Sequence, residues 1–83
     1  MNEKEREFLR DSLIEANRSL LEHSILDPDV QPPFKDIAIN DCLIAHTQLL
    51  RCQLMPLSPT ESANVRGVLE RLKALLKYFG ETV

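Results

Sequence analysis

Aromatic side chains are scarce in this chain: it has no Trp, one Tyr and three Phe among 83 residues. A core must therefore be assembled from Leu, Ile, Val and Ala, a palette that suits interlocking helices better than stacked sheets. Glycine is scarcer still, with only Gly67 and Gly80, too few for an ordinary set of tight hairpin turns. No apolar run approaches the roughly 20 residues of a membrane span. No signal segment is visible either, because Asn2 to Glu7 is largely charged. Also missing are a CxxC pair, a Gly-rich phosphate loop and a nucleophile elbow.

What is present fits one small folded domain. Hydrophobic residues make up 43% of the chain and charged residues 28%, a balance foreign to disordered segments. The net charge of −3 disfavours non-specific attachment to nucleic acid or anionic membranes, while leaving room for a local basic face. Cys42 and Cys52 lie ten residues apart; on one helix that is roughly 15 Å, beyond the reach of about 7 Å that a disulfide allows. Two free thiols in an apolar seam suit a reducing compartment, so a cytoplasmic location is expected.

Three helices are predicted, at about residues 3–25, 34–55 and 59–79, in an all-α antiparallel arrangement of a helical hairpin plus an N-terminal helix. In the first, Asn2 is placed to cap, and Leu9, Leu13, Ala16 and Leu20 form the expected core seam, broadened by Phe8, Ile14, Leu21 and Ile25. Asp27-Pro28 stops that helix. The linker 27–33, DPDVQPP, holds three prolines and should be extended and stiff, with Val30 and Phe34 pinning it to the core. The third helix carries the strongest local signal. Ser58-Pro59-Thr60-Glu61 combines an N-cap, a proline at the first helical position and the Glu of a capping box, and Gly80 marks the far end. Its core seam is Val65, Val68, Leu72, Leu75 and Phe79; Gly67 interrupts it, either for a close helix crossing or as a tolerated cost.

The second helix dominates the pattern. Ala38, Cys42, Ala45, Leu49 and Cys52 form one seam, while Ile39, Leu43 and Leu50 form another that His46 interrupts. Ile37 and Ile44 widen the apolar face, leaving a narrow polar stripe of Asp36, Asn40, Thr47 and Arg51. That is more apolar surface than two neighbouring helices cover, so a two-fold homodimer is expected. Its interface is assigned to Ala38, Cys42, Ala45, Leu49 and Cys52, whose small members permit close backbone approach.

Few residues suggest chemistry. Both cysteines read as buried structural thiols. His46 reads as a partly buried histidine bonded to another helix, and His23 as a partner for the end of the first helix dipole. Asp36, Asn40 and Asp41 sit where capping of the second helix accounts for them. No metal, cofactor or catalytic residue is assigned, and an enzyme is not expected. Arg66, Arg71, Lys73 and Lys77 suggest a basic face on the third helix, with Arg66–Glu70 as an i, i+4 pair.

Two functional classes follow. The first is a small non-enzymatic regulator or adaptor acting through protein contacts as a homodimer. The second is a helical RNA-binding dimer using the basic face, similar in architecture to the plasmid RNA-binding bundle Rop. The shortage of aromatic residues for base stacking favours the first, so nucleic acid is not the expected partner.

Overall fold

A computed structural model describing residues 1–83 contains three helices and no strand: α1 (Glu3–His23), α2 (Phe34–Cys52) and α3 (Pro59–Tyr78). The molecule is a short rod of 42 × 19 × 18 Å.

Local chemistry fixes most of the helix ends. At the start of α1 the Glu5 N–H donates to Asn2 Oδ1 (2.8 Å), and the Asn2 N–H donates to Glu5 Oε1 (3.0 Å). The same reciprocal arrangement opens α3, between Ser58 and Glu61 (3.1 and 2.9 Å). Each box satisfies two N–H groups that a helix start otherwise leaves unpaired. The end of α3 is closed by Gly80 at φ 90: the Gly80 N–H donates to the Lys77 carbonyl, and the Glu81 N–H reaches back to the Leu76 carbonyl. Those two bonds are the pair that terminates a helix through a left-handed glycine.

α2 has weaker ends. Its N-cap is Pro33, which offers no side-chain bond; Asp36 lies in the first turn, where its charge suits the helix dipole, whereas Asn40 and Asp41 lie beyond the helix start. The helix also stops at Cys52, three residues before the expected limit. There the Leu54 and Met55 N–H groups turn to the Arg51 and Cys52 carbonyls, three residues back. Pro56 is the cause, because it pushes Met55 out of helical geometry. α1 likewise ends at His23. In the connector Val30 packs on the core, but Phe34 is exposed and pins nothing.

Cross-helix contacts set the directions. On α1 the contact residues run from Ser12 to His23, while their partners on α2 run backwards from Cys52 to Asp41, so α1 and α2 are antiparallel. α2 and α3 pack together and are joined by the short connection between Cys52 and Pro59, and His46 in the middle of α2 lies near Lys73 in the second half of α3, so α2 and α3 are antiparallel too. α1 and α3 are therefore parallel, giving an up-down-up bundle.

The core joins Ala38, Cys42, Ala45, Leu49 and Cys52 of α2 to Leu9 and Ala16 of α1 and to Val65, Val68, Leu69, Leu72, Leu75 and Leu76 of α3, closed off by Phe79. Full burial of a Leu such as Leu49 or Leu72 stabilises by about 1.5–3 kcal/mol. α3 matches its expected seam. α1 matches its seam in part: Leu9 and Ala16 are in the core and Leu13 and Leu20 pack against it, but the most buried line is Leu9, Ser12, Ala16, Ser19 and His23. Leu13 and Leu20 sit on an edge, half-buried, while Ile14, Leu21 and Ile25 face water. The reason is the partner surface. α2 turns Ala and Cys toward α1, and Ser12, Ala16 and Ser19 let two small-residue seams meet closely where leucines would hold them apart. Gly67 takes no part in any close crossing, since a Cβ added there would meet nothing within 4 Å.

Candidate functional site

Packing moves the expected interface to the inside. Ala38, Cys42, Ala45, Leu49 and Cys52 are all buried within the single chain, covered by α1 and α3. In this arrangement none of them is exposed to a second copy. The surplus apolar surface of α2 lies on its opposite side. Ile37 (50% exposed), Ile44 (51%) and Leu50 (45%) stand outward there. Leu43 is half-buried between them, and Asp36, Asn40, Thr47 and Arg51 complete the face. The inner face of α2 is full, and three large aliphatic side chains, Ile37, Ile44 and Leu50, remain exposed outside it.

The groove between α1 and α2 is polar. His23 Nε2 lies 3.0 Å from Asp41 Oδ2, joining the end of α1 to the middle of α2. Glu15 and Arg18 pair at 3.4 Å beside it. Sequence patterning did not expose the His23–Asp41 contact, because both residues have adequate local explanations, a helix terminus for one and a helix start for the other. His23 is in fact a buried member of the inward seam. The groove has a volume of about 400 Å³.

His46 does not bond to another helix as expected. It lies in the α2–α3 groove near Lys73; partial burial, and secondarily the Lys73 charge, hold its pKa below 6.5. Burial, helped by the neighbouring Asp41 carboxylate, raises the Cys42 thiol from 9.0 to about 11. Burial also raises Cys52, against a smaller opposing effect of its hydrogen bond with Ser12. Both cysteines are unpaired. Thiols so protonated are poor nucleophiles and poor ligands. No three His, Cys, Asp or Glu side chains are placed to hold a metal ion.

The basic residues of α3 do not share one face. Arg66, Lys73 and Lys77 follow one stripe with Glu70 among them, but Arg71 lies about 160° around the helix from Lys73. The expected Arg66–Glu70 ion pair is not formed; the pairs present are Arg10–Asp11, Glu15–Arg18 and His23–Asp41. No protein-family model matches this chain, and no match was found among curated proteins or solved structures. No helix is long and apolar enough to cross a membrane.

Proposed function

We propose that this chain is a small non-enzymatic helical regulator or adaptor that works through protein contacts as a homodimer. One observation carries the reading: α2 leaves Ile37, Ile44 and Leu50 exposed although the inner face of the same helix is already fully packed. Burying such side chains stabilises association by roughly 25 cal/mol per Å² of apolar surface, before the cost of bringing two bodies together. The protonated, buried thiols suit a reducing compartment such as the cytoplasm. The split basic surface gives the RNA reading no comparable support.

The test is native mass by light scattering behind size exclusion over a wide dilution range, with Ile44→Glu as control. The expected result is twice the chain mass at high concentration, falling on dilution, and a monomeric but fully helical Ile44→Glu variant. A wild-type chain that stays monomeric at the highest concentration reached refutes the homodimer.

A further inference from the structure

We draw no further inference here: the strongest candidate, the outer face of α2 on which Ile37, Ile44 and Leu50 stand exposed, carries nothing beyond the reading above, because nothing in the structure shows what covers it.

Discussion

The fold resists ionisation of His46. Its pKa is held below 6.5 by partial burial first and by Lys73 second, so at mildly acidic pH the unfolded chain binds a proton that the folded chain declines. Stability must then rise with pH through the window between the lowered folded value and about 6.5, and fall on acidification through it. Thermal unfolding followed between about pH 7 and about pH 5 should show this loss, and His46→Gln should flatten it; an equal slope in both proteins rejects the assignment. The contact made by His23 lies beyond the reach of local sequence patterns. Its partner Asp41 is 18 residues away on another helix, and no pattern of local spacing joins them. Burial of the two cysteines, by contrast, was legible, because three- and four-residue spacing with Ala38, Ala45 and Leu49 leaves Cys42 and Cys52 no other side of the helix.

Among the elements, α3 was the most readable and α1 the least, for a physical reason. Every end of α3 is set by its own residues: Ser58, Pro59 and Glu61 at one terminus and Gly80 at the other. The inward face of α1 is centred by what it packs on: Ser12, Ser19 and His23 are buried beside Leu9 and Ala16, while Leu13 and Leu20 of the expected seam pack at its edge. The outer face of α2 was present in the sequence as excess apolar surface, but which side of the helix would remain exposed depended on packing. Gly67 yields a prediction at this scale. It lies inside α3 at an exposed position with open space around it, so it carries only the helix-propensity cost of glycine. Gly67→Ala should stabilise the protein by about 0.5–1 kcal/mol. For a domain of this size that raises the melting temperature by about 2–8 °C. An unchanged or lower midpoint would mean the site is crowded after all.

As a whole, the molecule hides both thiols behind α1 and α3, and their chemistry reports how it opens. With a pKa of about 11, Cys42 holds about a hundredfold less thiolate near neutrality than a thiol at 9.0. Native protein should therefore resist a thiol reagent, and Cys42 and Cys52 should label together at the rate of global opening. Leu72→Ala removes about 2–5 kcal/mol from the shared core and should accelerate both to the same extent. Faster labelling of Cys52 alone, insensitive to that substitution, would show α1 lifting away from an intact α2–α3 hairpin. The up-down-up order has an electrical consequence as well. Two helices point one way and one points back, so roughly twenty peptide dipoles of about 3.5 D each remain uncancelled along the rod. The positive pole lies at the end where Asn2 and Ser58 cap their helices, and Glu5 and Glu61 offset part of it. A lone chain is thus a polar rod that orients in a field, whereas a two-fold partner laid head to tail against it abolishes the axial moment by symmetry.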